Sequence, residues 1–401
     1  MRFSLAAIKD PNGARLFTGQ LISQVCDKMM SVGLVWVMTS QASLTLVPWF
    51  LALGALPHLL FVKISGKLIP KFGLLKTVIF TDLFRGILFL LISSLSYFFP
   101  KVFEPHEIPI LMVTLFLSNC ASAFFNPAIL SLPMSLSSDS DQSEEMVMNL
   151  TAMIDSCFSL ANVLGPVMTI VLYPLLGLSG LFLINGLSYI FAGALEAKIK
   201  IKKDLTLPAV AVSDGLSSDR LIVFMLITFF FMNLALTPLI AFLPIFVKEI
   251  FGGKISILGA FESALGLGAV AGSMVLALFQ VKIKTGVTTL LGASALSLLY
   301  FFFSQSQNLV LSELSLFLLG ATLSVVNISL MTFFQTRPVA KDVPAVMSYV
   351  NLIGLGAMPF SMGILSAFME KFSSGRMASA CAVLLLALTG ITALNKEFRN
   401  A

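Results

Sequence analysis

The stretch QVCDKMM, Gln24 to Met30, sets two opposite charges side by side inside an apolar run that extends from about Leu16 to Met38. A carboxyl in such a place can take up and release a proton, and an ammonium beside it can tune that exchange. Consecutive helical residues point about 100° apart, so Asp27 and Lys28 cannot satisfy each other as residues four apart would. A partner for Asp27 is therefore expected on another segment, with Arg85 and Asp155 as the candidates. Asp82 and Arg85, spaced by three, can pair on one helix face, and they read first as a structural ion pair. Asp155 reads either as a coupling group or as a structural one. Glu262 is a candidate proton carrier, whereas Glu313, nearer the end of its segment, reads as a solvated side chain. Asn126 and Asn327 can line a cavity or bond across helices.

Other chemistries lack their residues. His58 and His106 have no metal-binding spacing, and a site built from Cys26, Asp27, Cys120 and Asp155 is the weak alternative, because cysteines inside apolar runs are usually packing residues. The four cysteines, Cys381 being the fourth, do not suggest a disulfide framework. There is no GxxxxGK[ST] loop for nucleotide phosphates, no His-Glu-x-x-His and no Gly-x-Ser-x-Gly arrangement. The expectation is a protein that is not an enzyme and needs no cofactor or metal.

The elements that must hold these charges are membrane helices. Of 401 residues, 57% are hydrophobic and 11% charged, and the mean hydropathy is +0.97. A bilayer core about 30 Å thick takes roughly 20 apolar residues per helix. Twelve such runs begin near Leu16, Thr45, Thr77, Ile108, Asn149, Leu178, Leu221, Ile255, Gly286, Leu309, Pro344 and Met377. Asp27, 12 residues beyond Arg15, falls roughly 18 Å along the first helix, near the midplane. The start, MRFSLAAIKD, has no long apolar region before Lys9, so no cleavable signal is expected. With the amino terminus in the cytoplasm most loop lysines and arginines share that side, leaving Lys101, Lys248, Lys254, Lys371 and Arg376 on the other, so both termini are expected in the cytoplasm. The net charge of +5 then follows from topology and contact with lipid headgroups, without nucleic acid.

The longest polar connection, containing KIKIKKD (Lys198 to Asp204), divides the chain into an amino-terminal bundle over 1–196, a linker over 197–219 and a carboxy-terminal bundle over 220–401. Sliding Leu115–Ser131 by 201 positions onto Leu316–Thr332 matches LFL with LFL and Asn126 with Asn327 without gaps. Internal repeats of this kind mark secondary transporters.

Several motifs in this order resemble the major facilitator superfamily: GQLISQVCD (Gly19–Asp27), TDLFRG (Thr81–Gly86), FFNPA (Phe124–Ala128), the pair Gly165–Pro166, and TRPVAKDVPAVMS (Thr336–Ser348). Within it they are similar to the twelve-helix bacterial exporters of macrolides and siderophores. The resemblance covers nearly the whole chain. GKLIPKFGLLK (Gly66–Lys76) is similar to the superfamily's Gly-x-x-x-Asp-Arg-x-Gly-Arg loop through Gly66, Lys71 and Gly73, but Pro70 occupies the acidic position and Leu74 a basic one. The latch that this loop forms in the family is therefore expected to be weaker or differently built. VKIKTG (Val281–Gly286) is a reduced second copy. Ala161, Thr169 and Ile170 replace glycines of the antiporter pattern around Gly165–Pro166.

The resemblance implies an all-α membrane protein of twelve transmembrane helices in two pseudo-symmetric six-helix bundles, the major facilitator fold, around a central cavity. It implies a secondary transporter working by alternating access: a proton-coupled exporter of a small amphipathic compound such as a drug, siderophore or metabolite. Expected partners are the substrate, protons and membrane lipids, the protein being a monomer in the bacterial inner membrane. Asp27, Lys28, Arg85, Asp155, Glu262, Asn126 and Asn327 are the candidate coupling or cavity residues. Gly66, Lys71, Gly73, Asp82, Gly165 and Pro166 are candidates for conformational roles. Import, lipid or lysophospholipid flipping, or metal-ion export on the same fold remain alternatives, as does a non-transporting membrane sensor or assembly partner.

Overall fold

A computed structural model describes residues 10–41, 46–136, 143–200, 219–279, 285–338, 343–369 and 371–399. Every regular element among them is helical. The long helices are α1 (Pro11–Gln41), α2 (Leu46–Phe72), α3 (Leu74–Phe98), α4 (Glu107–Leu136), α5 (Ser143–Glu196), α6 (Arg220–Leu236), α7 (Pro238–Ile250), α8 (Ile255–Phe279), α9 (Thr285–Gln305), α10 (Leu309–Thr336), α11 (Val343–Met369) and α12 (Ser374–Leu394).

Among the described residues nine helical stretches are long and apolar enough to cross a membrane, and the bent pair Leu46–Phe61 and Ile64–Phe72 in α2 makes a tenth. One of the nine, Leu150–Glu196, has 47 residues, about twice the length of a single crossing. It breaks at Gly177, whose φ of 61° and ψ of −169° leave the helical region. Only glycine adopts this conformation without strain, so α5 carries two crossings. The apolar stretch Leu352–Phe368 of α11 is shorter than these. Helices α6 and α7 together form the seventh. Pro238 between them has no N–H for the carbonyl of Leu234, and the Ser361 hydroxyl of α11 donates to that carbonyl instead, at 2.8 Å.

The chain divides into two compact units, Met1–Val37 with Leu56–Val210, and Met38–Ala55 with Ala211–Ala401. The connection expected over 197–219 lies outside the described residues from 201 to 218. So do 281–284 of the reduced second loop and 339–342 of TRPVAKDVPAVMS.

In the first unit α3 packs on α4 and α5. A Cβ placed on Gly86 would stand 3.1 Å from the carbonyl oxygen of Gly186, and one on Gly186 would stand 3.0 Å from that of Gly86. The two backbones therefore approach where both lack side chains. Ser93 Oγ donates to the Ser179 carbonyl at 2.9 Å further along the same contact. In the second unit α9 packs on α10 and α12 in the same way, which repeats the pairing six crossings later. Helices α8 and α10 lie closer still. Added Cβ atoms would reach 1.9 Å from the Phe317 oxygen at Gly268, 2.2 Å from the Ala321 oxygen at Gly272 and 2.0 Å from the Leu265 oxygen at Gly320.

Polar ends anchor the second unit. Asp219 caps α6 by accepting from the Leu221 N–H at 2.8 Å and takes Arg337 Nε at 3.0 Å. Arg337 Nη2 also meets Glu397 at 2.5 Å.

Candidate functional site

Three of the five buried side-chain polar atoms that lack a hydrogen-bond partner among the described residues occur on one set of contacts in the first unit: Asp82 Oδ2, Arg85 Nε and Glu196 Oε2. Native interiors leave few such groups, so a cluster of them calls for an explanation. The set is drawn from α1, α3, α4 and the second stretch of α5.

Asp82 and Arg85 form the ion pair that their spacing suggests, and both are fully buried, at 0% and 2% exposure. Arg85 is also held on its flanks. Its guanidinium lies 4.3 Å from the ring centre of Phe125 on one contact and 4.2 Å from that of Tyr189 on another. Its Nη1 donates to the Tyr189 hydroxyl at 2.9 Å and to Ser122 Oγ at 3.3 Å. A planar, permanently charged fork suits this combination of stacking and directed donation. Phe125 belongs to an apolar cluster with Leu16, Ile69, Val78, Ile129 and Leu132, which keeps water from one side of the pair.

Asp27 receives its partner from α5. The Tyr189 hydroxyl donates to Asp27 Oδ1 at 2.7 Å while accepting from Arg85. One phenol thus relays between the half-buried carboxyl and the buried guanidinium, which replaces the direct Asp27 contact to Arg85 or Asp155 anticipated from sequence. Asp155 is exposed on α5 and stands outside this set. Nearer the start of α1, Gln24 Nε2 donates to Gln20 Oε1 at 3.2 Å, and Gln20 Nε2 donates to Glu196 Oε1 at 2.6 Å.

The remaining candidates fall elsewhere. Lys28 is half-buried, and its aliphatic stem lies against Gly165, where an added Cβ would come within 2.7 Å of Lys28 Cβ. Gly165 therefore admits the lysine. Thr169, one turn on, donates to the Met29 carbonyl at 2.9 Å and fixes α5 against α1. Pro166 is buried in α5. Asn126 and Asn327 are exposed, and Glu262 is half-buried on α8. Gly66 has open space around it, Lys71 is exposed, and Pro70 lies inside α2. Gly73 is the single residue between α2 and α3, with φ 91°, a backbone shape that needs glycine.

Tyr189, Glu196 and Gln20 were not among the sequence candidates. Gln20 is inside GQLISQVCD and Tyr189 is one of only five tyrosines, but Glu196 reads in sequence as the polar end of a helix. Among the described residues no three His, Cys, Asp or Glu side chains group as metal ligands, so Cys26, Asp27, Cys120 and Asp155 do not converge as the metal alternative requires. In the second unit a cavity of about 480 Å³ adjoins the α6–α7 break, lined by Leu234, Pro238, Ser361, Phe368, Arg376 and Cys381.

A membrane bundle with a buried, relayed charge set is what a transporter needs, and the sequence match decides the family. The model of the Major Facilitator Superfamily covers residues 16–362. The chain belongs to the major facilitator superfamily. Members of that superfamily are transporters, so this major facilitator protein is a multi-pass membrane transporter and not an enzyme. A curated relative from Bacillus subtilis, named "Putative bacilysin exporter BacE", is 25% identical over 203 residues, 48% of this chain and 45% of the relative, and the Bacillus amyloliquefaciens protein of the same name matches equally. The aligned part thus spans less than half of those relatives. Among solved structures, a POT family transporter in complex with a thioalcohol-conjugated peptide superposes with a TM-score of 0.75 at 12% identity, covering 97% of this chain and 96% of that one. A bacterial homologue of the iron transporter ferroportin in an inward-facing state gives 0.74 at 14%, covering 94% and 98%. At such identities these likenesses speak for the fold alone.

Proposed function

We propose that this chain is a proton-coupled secondary exporter of a small amphipathic compound, working by alternating access. It acts as a monomer in the bacterial cytoplasmic membrane, with both termini in the cytoplasm and two six-helix halves, 1–196 and 220–401, joined by the linker 197–219. The observation that carries the coupling is the relay Asp27–Tyr189–Arg85–Asp82. Asp27 is its least buried acid, so it can exchange a proton with solvent or respond to a substrate, while Arg85 transmits the change into a wall that cannot rehydrate. Export is favoured by the partial match to a protein named as an exporter. The amphipathic substrate class follows from a chain with 36 phenylalanines and 19 methionines and few formal charges.

The test is uptake of candidate amphipathic compounds into inverted membrane vesicles with an imposed proton gradient, comparing the natural protein with Asp27→Asn. Accumulation that needs the gradient and is lost in the variant is the expected result. Equal accumulation in both removes Asp27 from the coupling step; accumulation in right-side-out vesicles instead reverses the direction.

A further inference from the structure

Glu196 takes no part in the relay, yet its side chain is as buried as that of Asp82, both residues being 0% exposed. One oxygen of each carboxyl is satisfied: Glu196 Oε1 accepts from Gln20, and Asp82 Oδ1 accepts from Arg85. The other oxygen of each, Glu196 Oε2 and Asp82 Oδ2, has no hydrogen-bond partner among the described residues. The two carboxyls lie close enough to act directly on each other, with the Gln20 amide beside both. An ionised carboxylate only accepts, so two of them in contact have nothing to share. One proton between them supplies the missing donor and satisfies both orphaned oxygens at once.

We propose that Asp82 and Glu196 form a proton-binding site, holding a single proton between α3 and the end of α5. The groups around it are Gln20 and Asp27 from α1, Arg85 from α3 itself, Ser122 from α4 by way of Arg85, and Tyr189 from α5. This set contains three carboxyls and one guanidinium, so the proton offsets part of its excess negative charge. Its release leaves two anions competing for Arg85. The guanidinium is the same group that holds Tyr189, and Tyr189 holds Asp27, so the occupancy of the pair is passed to the relay. The role in transport rests on the proton-coupled reading above; the existence of the site does not.

The experiment is infrared spectroscopy of the purified protein in lipid nanodiscs near neutral pH, following the carbonyl stretch of protonated carboxyls and its shift in D₂O. The natural protein is compared with Glu196→Gln, Asp82→Asn and, as a preparation control, Glu104→Gln at an exposed site. Each of the first two variants keeps the side-chain shape and offers an amide donor to the facing carboxylate, and helical circular dichroism checks that each folds. A deuterium-sensitive band that is present in the natural protein and in Glu104→Gln, and lost in both pair variants, is the expected result. No such band in the natural protein, or a band that survives in either folded pair variant, overturns the shared proton. Should Asp82→Asn fail to fold, Glu196→Gln decides alone. The same variants in the vesicle assay separate the two readings: the band with gradient-independent transport leaves the site standing and sinks coupling, whereas gradient-driven transport without the band sinks the site and leaves coupling with Asp27.

Discussion

The Tyr189 hydroxyl carries two contacts that no other atom can make, since it accepts from Arg85 and donates to Asp27. Tyr189→Phe removes both while keeping the ring against the guanidinium. Because buried partners left unsatisfied cost about 1–3 kcal/mol, the variant is expected to unfold at lower temperature in detergent and to transport less under a proton gradient; a variant matching the natural protein in both would mean that Asp27 is set by other groups. Asp219, outside the crossings, gives a pH signature. Burial works against its ionisation, but the bonds from Arg337 and the Leu221 N–H outweigh it, and the carboxyl is held below the ordinary aspartate value of 3.8. A lowered value means that its stabilisation is complete above that pH and is lost as the pH falls through the lower folded value. Asn is as good a cap as Asp, so Asp219→Asn isolates the charge, which at a partly exposed site is worth a few tenths of a kcal/mol. Thermal unfolding of the two proteins should differ by a small constant amount at neutral pH and converge in acid below the ordinary aspartate value.

Helix pairing rests on glycines at backbone contacts. At Gly320 a methyl group would be 2.0 Å from the carbonyl oxygen of Leu265, and no rotamer can relieve a clash with backbone. Gly320→Ala therefore forces α10 away from α8, at a cost of about 1–3 kcal/mol or more for overpacking, and should lower both the unfolding temperature and the yield of monodisperse protein. Gly354, around which an added Cβ meets nothing, gives the control: Gly354→Ala should leave both unchanged. Spacing alone does not tell whether the glycines after Glu262, Gly266, Gly268 and Gly272, serve close packing or a flexible gate. The structure gives Gly268 and Gly272 the first role, because what faces them is a neighbouring backbone, and periodicity carries no information about that. The Ser361 donation to Leu234 was hidden for a similar reason: a proline announces the freed carbonyl, but the donor lies 127 positions away.

The all-helical membrane fold was legible because apolar runs of the required length are a local property. The Asp82–Arg85 pair was legible for the same reason, its two residues lying on one helical face. The partner of Asp27 was not, since Tyr189 stands 162 positions away among many aromatics that lipid contact would explain as well. In sequence Glu196 cannot be told from the polar end of a helix, because KIKIKKD follows it, and only the tertiary contact with Gln20 shows that it turns inward. Fluorescence of green fluorescent protein fused after Ala401 in a bacterial host tests the proposed orientation, because that protein matures in the cytoplasm and stays dark when exported unfolded through the general secretion pathway. A dark fusion would place the carboxy terminus outside. Finally, the break at Gly177 joins two crossings without any intervening loop. During synthesis the ribosome delivers the two as one continuous greasy hairpin, with no hydrophilic stretch between them that could be threaded across separately. Inserted as a pair, they leave no polar connection to be carried through the hydrocarbon core.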